Sequence, residues 1–578
     1  MAAKSTPPAH RQRAASRWPR VTTIGVVAVL VFWLVACYRF NTLGGALGGF
    51  DNDHFLQLAL AKQVESGEQP LRDFLDGAQG ARPALTYELS ALAQRALGDN
   101  LRSEAVLTVL GVAAAALVTF VAGTYVAPWP VALVTAVLSS LLSPKLYGYP
   151  KVLVLAVACL LIVQYARAPG WWRVASMSAW TAVGFLFRHD YAVYCGAGCV
   201  IALALAGPAL WWKRLGRVAS YGALTLVLLG PSLYWVEQHA GLVTYLTNGM
   251  AMGRRDAQRT SIAWPVPSID ITQTVTANVE REENTQAWLY YLFIAVAWLG
   301  PGLALARLRR GIATDVRDVP MLAVGVMTVL LTFYFLRGSL EARFGDMGPP
   351  LAVLSAWLLT MSAEGAHRPW LRRLTSAAVA ALLLGVTAKA IWVLQSGRTE
   401  LLRSGLLKSP VAVVVQGYRV SQQLAGMPDS LRGQDVSSPS GRAAFYLHEC
   451  TRPTDRIMVV SYAPEVGGLS DRRFGGGRAM FQPGFFDEER YSRYLLDRLG
   501  RQSVPLVLAE DEPYYAGFPL LVDYLRQAYT EQGRIEIDGG RRLRVLARRG
   551  VPSRPFGPAG LPCFASAGIP PEGLTQLR

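Results

Sequence analysis

Charged residues are scarce in this sequence, and acidic residues are scarcer than basic ones. Only 17% of the 578 residues are Asp, Glu, Lys or Arg, whereas 52% are apolar and the mean hydropathy is +0.26. Because a soluble enzyme of this size needs more charged surface, the composition indicates a membrane protein with several spans. The length leaves room for about ten spans of roughly 20 residues each and one globular domain.

The formal net charge of +17 suggests nucleic-acid binding at first sight. Many of the Arg and Lys residues, however, lie in short segments between apolar runs, which is the distribution that the positive-inside rule produces. The others lie in outward loops and in the C-terminal region, where anionic lipid phosphates are available. The excess charge therefore indicates a lipid bilayer, and not nucleic acid, as the partner.

A secretory cleavage site is missing near the start of the sequence. A basic stretch containing Arg11, Arg13, Arg17 and Arg20 precedes an apolar run over residues 21–38, and no small-residue cleavage motif follows it. The run is long enough to span a bilayer. We expect an uncleaved anchor, with residues 1–20 as a cytoplasmic tail.

Apolar runs predict about eleven membrane-spanning helices in all. The runs cover residues 21–38, 104–126, 130–143, 151–166, 173–187, 191–212, 218–236, 287–306, 320–336, 349–363 and 374–394. An odd number of spans with a cytoplasmic N-terminus places the C-terminus outside. Alternate short loops carry the clusters of basic residues, so the charge distribution agrees with this topology. No internal repeat is apparent, which weakens an inverted-repeat transporter as an explanation.

The predicted domain organisation follows from this topology. Residues 21–397 form a transmembrane domain whose first extracytoplasmic loop covers residues 39–103, and residues 398–578 form a small extracytoplasmic α/β domain. In that domain, residues 457–462 and 504–509 predict buried strands, residues 514–531 predict a helix, and Gly539-Gly540 predicts a hairpin turn. The fold class is a multi-pass α-helical membrane protein with an α/β domain outside the bilayer.

Cysteine and histidine are also rare, with six of each, and their spacing matches no metal site. Four cysteines lie in or beside predicted spans, where they are most simply small core residues. Cys450 and Cys563 are the only two in the predicted outer domain. An oxidising compartment allows a disulfide between them, although free thiols are an equal alternative.

An acidic cluster follows the first predicted span. The chain reads Gly49-Phe50-Asp51-Asn52-Asp53-His54-Phe55, so Asp51 and Asp53 lie at a membrane edge. Partial desolvation makes a carboxylate there more basic, so either residue is a candidate general base. The alternative is structural, because Asp is also a common cap for a helix beginning near His54. Two nearby Asp side chains also suit a divalent cation, but without further oxygen ligands the pattern predicts no cofactor.

Cations on the same predicted face are candidate ligands for a phosphate, since Lys and Arg bind phosphate through charge-assisted hydrogen bonds. Together with His54, the candidate substrate-binding residues are Arg82, Lys145, Lys151, Arg188, Asp190 and Arg343. Snorkelling to lipid headgroups is the structural alternative for each cation. Arg188 and Asp190 also suit a simple ion pair with one another.

The segment Asp51 to Phe55, followed by Asp73-Phe74 and Gly80-Ala81-Arg82-Pro83, resembles the GT-C glycosyltransferases. It is most similar to the branch containing protein O-mannosyltransferases and lipid A aminoarabinose transferases, whose first outer loop carries an Asp-Glu-x-x-Tyr/Phe motif. Asp51 and Phe55 match that motif, whereas Asn52 replaces its Glu, so the choice between Asp51 and Asp53 as base stays open. The segment Arg343 to Pro350 is similar to an Arg-Tyr…Pro segment ahead of a late span in this branch.

The resemblance implies an inner-membrane enzyme of a bacterial cell envelope. It implies transfer of a sugar from a polyprenyl-phosphate donor to an envelope glycan, lipid or protein by an inverting single displacement. Asp51 would be the base, and Arg343 would bind the donor phosphate. The oligosaccharyltransferase motif Trp-Trp-Asp-Tyr-Gly is missing from the outer domain, which argues against en-bloc transfer to Asn. A lipid-linked glycan flippase and a non-catalytic polysaccharide-assembly protein are the alternatives, and a hydrolase or polymerase of lipid-linked glycans is a closer one.

Overall fold

The structure is a computed structural model. It describes residues 18–43, 50, 52–75, 85–142, 150–207, 210–268, 272, 274, 281–310, 316–333, 335–336, 340–364, 369–427 and 438–564. Three of the candidate site residues, Asp51, Arg82 and Lys145, lie outside these ranges, so their predicted roles stay predictions.

A helix corresponds to each apolar run that predicts a span. The corresponding helices are α1 Trp18–Thr42, α4 Leu101–Thr124, α5 Trp129–Leu141, α6 Lys151–Arg167, α7 Trp171–Phe187, α8 His189–Leu205, α9 Trp211–Ala240, α11 Glu282–Arg309, α12 Asp318–Thr332, α14 Gly348–Glu364, and α15 Pro369–Ala380, which continues through a π-turn at Ala381–Gly385 into α16 Val386–Val393. Within the described residues, five of these segments are long and apolar enough to cross a bilayer: α1, α4, α9, α11 and α15 with α16. The others are shorter, so eleven spans are not established.

The remaining helices of this region lie between the predicted spans or follow the last of them. They are α2 Asn52–Glu65, α3 Leu85–Leu97, α10 Leu242–Thr260, the short α13 Leu340–Phe344, α17 Gln395–Ser404 and α18 Pro410–Ala425. The periodicity at residues 54–66 and 83–97 thus correctly predicts α2 and α3, whereas α10 falls in a segment expected to be a loop. Helix α9 ends where Gly241 adopts φ +74°, a conformation that favours glycine.

Apolar side chains cover the outer faces of the peripheral helices. On α1, Leu30 and Trp33 are 62% and 61% exposed, and on α9, Val227 is 70% exposed. In water such faces would be strongly unfavourable, since apolar area is removed from water when it can be. Hydrocarbon is therefore their solvent, and the helical region is a membrane domain.

A five-stranded sheet organises the C-terminal region. Its strands are β1 Arg456–Val460, β2 Arg473–Phe474, β3 Leu506–Ala509, β4 Tyr529–Ile537 and β5 Arg541–Arg548, in the spatial order β2-β1-β3-β5-β4. The helices around it are α19 Pro439–Cys450, α20 Pro464–Leu469, α21 Glu489–Arg501, α22 Glu512–Tyr515 and α23 Pro519–Ala528, and a second ribbon joins β6 Arg554–Phe556 to β7 Leu561–Cys563.

The strand predictions for this domain are confirmed in their positions. Strands β1 and β3 are fully buried and parallel, as their continuous apolar sequences indicate. The hairpin β4–β5 turns at Gly539 and Gly540, which both have positive φ. Both boundaries of the helix predicted over residues 514–531 are wrong. The chain forms the short α22, which ends at Tyr515, and then α23 from Pro519 to Ala528, and β4 begins at Tyr529.

A disulfide joins Cys450 at the end of α19 to Cys563 at the end of β7, across 113 residues of sequence. It fixes the second ribbon to helix α19. For a loop of this length the entropic stabilisation is about 4–5 kcal/mol in the chain-entropy description, with 2–5 kcal/mol usual for loss of a native disulfide.

Replacing both cysteines by serine is therefore expected to destabilise the domain of residues 438–564 by about 2–5 kcal/mol. The measurement is thermal unfolding of the full-length protein in detergent, followed by proteolysis at residues of this domain. Replacing the buried Cys199 by serine serves as the control for loss of a membrane-domain thiol. An unchanged protease resistance in the double variant would contradict the prediction.

Candidate functional site

Helix α2 begins at Asn52, within the sequence segment of residues 49–55 that we call the acidic loop. Asp53 lies in the first turn of α2 and is partly exposed, where a carboxylate is favoured by the positive end of the helix dipole. This placement suits both alternatives for Asp53, helix stabilisation and proton abstraction.

His54 points away from solvent into a polar cluster. Its side chain is fully buried and lies within electrostatic range of Glu104, in the first turn of α4. Ser90 of α3 donates its hydroxyl to both carboxylate oxygens of Glu104, at 2.9 Å each. A buried carboxylate is costly unless it is hydrogen-bonded or paired, so this cluster ties α2, α3 and α4 together. His54 as a substrate ligand stays a prediction.

The outer domain holds α2 from the other side. A side chain at Gly468 of α20 would place its Cβ 2.8 Å from the carbonyl oxygen of Phe55, so only glycine permits this contact. Lys62, at the far end of α2, pairs with Asp471 and lies 3.3 Å from Asp99. Arg456 of β1 pairs with Glu68 just beyond α2. Helix α2, which carries Asp53, thus packs between the membrane helices and the α/β domain.

Asp73, another carboxylate of the first loop, is fully engaged in structural contacts. It accepts hydrogen bonds from the Gln69 amide at 2.9 Å and the Arg72 guanidinium at 2.8 Å, with Arg498 of the outer domain at 3.6 Å. Burial alone would raise the pKa of Asp73, but the bonds from Arg72 and Gln69 and the charge of Arg498 bring it below the usual value. Such a carboxylate is a poor proton acceptor.

The predicted phosphate ligands converge on one carboxylate. Lys151, the first residue of α6, forms a 2.5 Å ion pair with Asp346, and both side chains are 97% buried. Arg343, one turn before Asp346, approaches the other carboxylate oxygen to 3.7 Å. A lysine at the positive end of a helix is unfavourable, so Asp346 compensates both the dipole and the loss of hydration.

Arg188 joins this cluster from the junction of α7 and α8. Its charge lies within electrostatic range of Lys151, as does that of Arg343. Arg188 also donates to Asp190 at 2.8 Å and lies over the ring of Tyr191. The ion pair expected between Arg188 and Asp190 is therefore present. Because Arg188 and Arg343 are partly exposed, their guanidinium groups border solvent or lipid.

Helix α4 lies close both to the start of α2, at His54, and to the start of α6, where Lys151 belongs to the cluster of Lys151, Arg188 and Arg343. Gly111 of α4 lies against Pro150, where an added Cβ would come within 2.9 Å of the proline Cβ, and Lys151 follows directly. Glu104, beside His54, lies seven residues earlier, which is about 10 Å along the helix axis. The start of α6, with Lys151, therefore meets α4 about 10 Å along its axis from the level of Glu104 and His54.

Sequence reasoning missed the two carboxylates at the centre of these clusters. Asp346 stands in the Arg343–Pro350 segment, three residues after Arg343, and this spacing on a helical turn was the available indication. Glu104 begins an otherwise apolar span, where an ionisable residue is itself informative. Among the described residues, no group of three His, Cys, Asp or Glu side chains is arranged to hold a metal ion.

Three solved structures align with most of this chain. ArnT from Cupriavidus metallidurans bound to undecaprenyl phosphate is 13% identical, with 92% of this chain and 98% of that chain covered and a TM-score of 0.47. The apo state of the same protein is 14% identical, with the same coverage and a TM-score of 0.45. An oligosaccharyltransferase from Archaeoglobus fulgidus in complex with Zn and sulfate is 13% identical, with 93% and 73% covered and a TM-score of 0.37.

No family model and no curated protein matches the sequence.

Proposed function

We propose that this protein is a membrane glycosyltransferase that moves a sugar from a polyprenyl-phosphate donor to an extracytoplasmic acceptor. The observation that carries the proposal is a group of three cations: Lys151 and Arg343 both lie at Asp346, and Arg188 lies within electrostatic range of Lys151. Among Lys151, Arg188, Arg343, Asp190 and Asp346, cations outnumber carboxylates by one. That balance suits a singly charged phosphodiester at the edge of the bilayer.

The cations would bind the donor phosphate and stabilise its departure. As the bond from the anomeric carbon to the phosphate oxygen breaks, the electron pair goes to that oxygen and its negative charge grows. Preorganised guanidinium and ammonium groups in a partly desolvated site favour this change by several kcal/mol. Phosphate is a good leaving group, so the reaction needs no general acid.

The acidic loop would supply the base. Asp51 takes the proton from an acceptor hydroxyl or amine as its oxygen or nitrogen bonds to the anomeric carbon. With one base and no enzyme nucleophile, the displacement is single and inverts the anomeric centre. The contacts of α2 with α4 and with the outer domain support a fixed distance between this loop and the cations.

The location of the site is part of the proposal. We place the acidic loop and the outer domain on the extracytoplasmic side of a bacterial inner membrane, in agreement with the basic loops expected on the other side. The disulfide of residues 450 and 563 supports an oxidising compartment.

Donor binding tests the assignment of the cations. Arg343→Gln and Arg188→Gln are each expected to weaken binding of undecaprenyl phosphate about 10-fold to 100-fold, since a charge-assisted hydrogen bond contributes about 1.5–3 kcal/mol. Binding is measured by titration of the purified protein in detergent. Arg317→Gln is the matched control, because Arg317 is exposed and pairs with Glu364 at 3.0 Å away from the cluster.

Equal affinity of both cluster variants and the wild type would overturn the phosphate site.

Reconstitution in vesicles separates the proposal from a flippase. A flippase would move labelled polyprenyl-phosphate sugar across the bilayer without releasing polyprenyl phosphate, whereas the proposed enzyme releases it.

A further inference from the structure

A cavity lies between the membrane domain and the outer domain, beside the cation cluster. Its volume is about 210 Å³, and it is bounded by the segment after α2, the junction of α9 and α10, and the start of α21. Its lining is Leu71, Leu75, His239, Ala240, Thr244, Tyr245, Asn248, Phe486, Arg490, Tyr491 and Tyr494. Pockets for drug-sized ligands measure roughly 300–1,000 Å³, so this one suits a single small ring.

The lining has the character of a carbohydrate site. Tyr245, Phe486, Tyr491 and Tyr494 present aromatic surfaces, on which the C–H faces of a sugar ring pack. Asn248 adds an amide whose Nδ2 donates to the Tyr491 hydroxyl at 2.7 Å, and so positions that ring. Arg490, 4.7 Å above Tyr491, adds hydrogen-bond donors at the rim. Apolar walls with few, fixed polar groups are what a sugar ring needs for orientation.

Two walls of the cavity are held in an unusual backbone conformation. Leu71 has φ +67° and Phe486 has φ +52°, and they are two of the three non-glycine residues with positive φ among the described ranges. The guanidinium of the buried Arg478 donates to the Phe486 carbonyl at 3.2 Å and lies over its ring. Side chains rarely adopt this conformation, and where they do it commonly accompanies a functional site.

The cavity also has a direct connection to the proposed donor site. The ring of Tyr245 contacts His189 edge-on, with centroids 5.6 Å apart, and His189 follows Arg188 in sequence. Tyr245 and His189 therefore lie between a ring bound in the cavity and Arg188, one of the proposed ligands of the donor phosphate. The donor's own sugar is attached to that phosphate, so a second binding place beside it suits the other reactant.

We propose that this cavity binds a sugar ring of the acceptor, and that the acceptor is accordingly a glycan or glycolipid. This inference rests on the proposed function. It assigns substrate selection to the contact between α10 and α21, with the outer domain supplying the aromatic wall.

The test uses the full-length protein with methyl glycosides of glucose, mannose and N-acetylglucosamine as probes. Saturation-transfer NMR is expected to show saturable binding of at least one of them. Ala240→Trp, which fills the cavity, is expected to weaken that binding at least 10-fold. Ala516→Trp, at an exposed residue of the outer domain away from the lining, is the matched control and is expected to bind normally.

A second readout separates this inference from the proposed function. Slow hydrolysis of the polyprenyl-phosphate sugar by the wild type, with water as acceptor, reports on the proposed donor site without the acceptor cavity. If none of the glycosides binds, or if Ala240→Trp binds them normally, the acceptor cavity is overturned while donor hydrolysis can still stand. If the glycosides compete with the donor in hydrolysis, the cavity holds the donor sugar and the inference is wrong. If the wild type cleaves no donor, the proposed function itself fails.

Discussion

Asp51→Asn is expected to reduce sugar transfer by a factor of 10² to 10⁴ or more, with expression and folding unchanged. The carboxylate is the proposed proton acceptor, and a positioned general base contributes a factor of this size. The amide keeps the shape and capping ability of the side chain, because Asn caps helices as well as Asp. The substitution therefore removes the negatively charged proton acceptor and changes little else. Donor-dependent turnover is the measurement, with undecaprenyl-phosphate binding as the control.

Asp53→Asn is the matched comparison for this experiment. Asp53 lies in the first turn of α2, where loss of its charge is expected to cost about 0.3–1 kcal/mol of stability through the helix dipole. Loss of transfer in Asp53→Asn with near-normal turnover in Asp51→Asn would move the base to Asp53. Near-normal turnover in both variants would refute base catalysis by this loop.

Asp346→Ala is expected to destabilise the membrane domain by about 3–5 kcal/mol. The substitution leaves Lys151 buried beside two arginines without the carboxylate that it contacts at 2.5 Å. Removing one partner of a buried ion pair has costs of this order, because the remaining charge is neither hydrated nor paired. The free energy of unfolding in mixed micelles is the measurement.

The double variant Lys151→Met with Asp346→Leu provides the control. Apolar replacement of both partners of a buried pair is often neutral, so stability is expected to return to within about 1–2 kcal/mol of the wild type. The double variant is nevertheless expected to bind the donor more weakly than the wild type does, since Lys151, one proposed phosphate ligand, is missing. A double variant as unstable as Asp346→Ala would show that the pair contributes through packing and not through charge.

The sequence predicts the positions of the helices well because hydrophobic length and charge asymmetry act locally. The run at residues 151–166 coincides with α6, and the alternation around Gly539 coincides with the β4–β5 hairpin. Helix ends are less certain where polarity changes gradually. The predicted span 191–212 in fact contains the end of α8 at Leu205 and the start of α9 at Trp211.

The convergence of the cations was predictable only in part. The predicted topology places Lys151, Arg188 and Arg343 on one face of the membrane, but the shared contact of Lys151 and Arg343 with Asp346 depends on how α6 packs against the turn Gly345–Met347. The contact of Gly468 with Phe55 joins residues more than 400 positions apart, and local pattern carries no information on such a pair. Asp51, Arg82 and Lys145 remain predictions from sequence.

The close approach at Gly468 also limits how the outer domain can be exchanged. A graft of a related domain to alter acceptor choice would have to reproduce a surface without a side chain opposite Phe55, together with an acidic residue facing Lys62. A graft lacking either would shift the helix that carries the acidic loop, and catalysis would suffer along with selectivity. If the proposed function holds, modular engineering of this protein should therefore keep residues 464–471 unchanged and vary the aromatic wall at residues 486–494 instead.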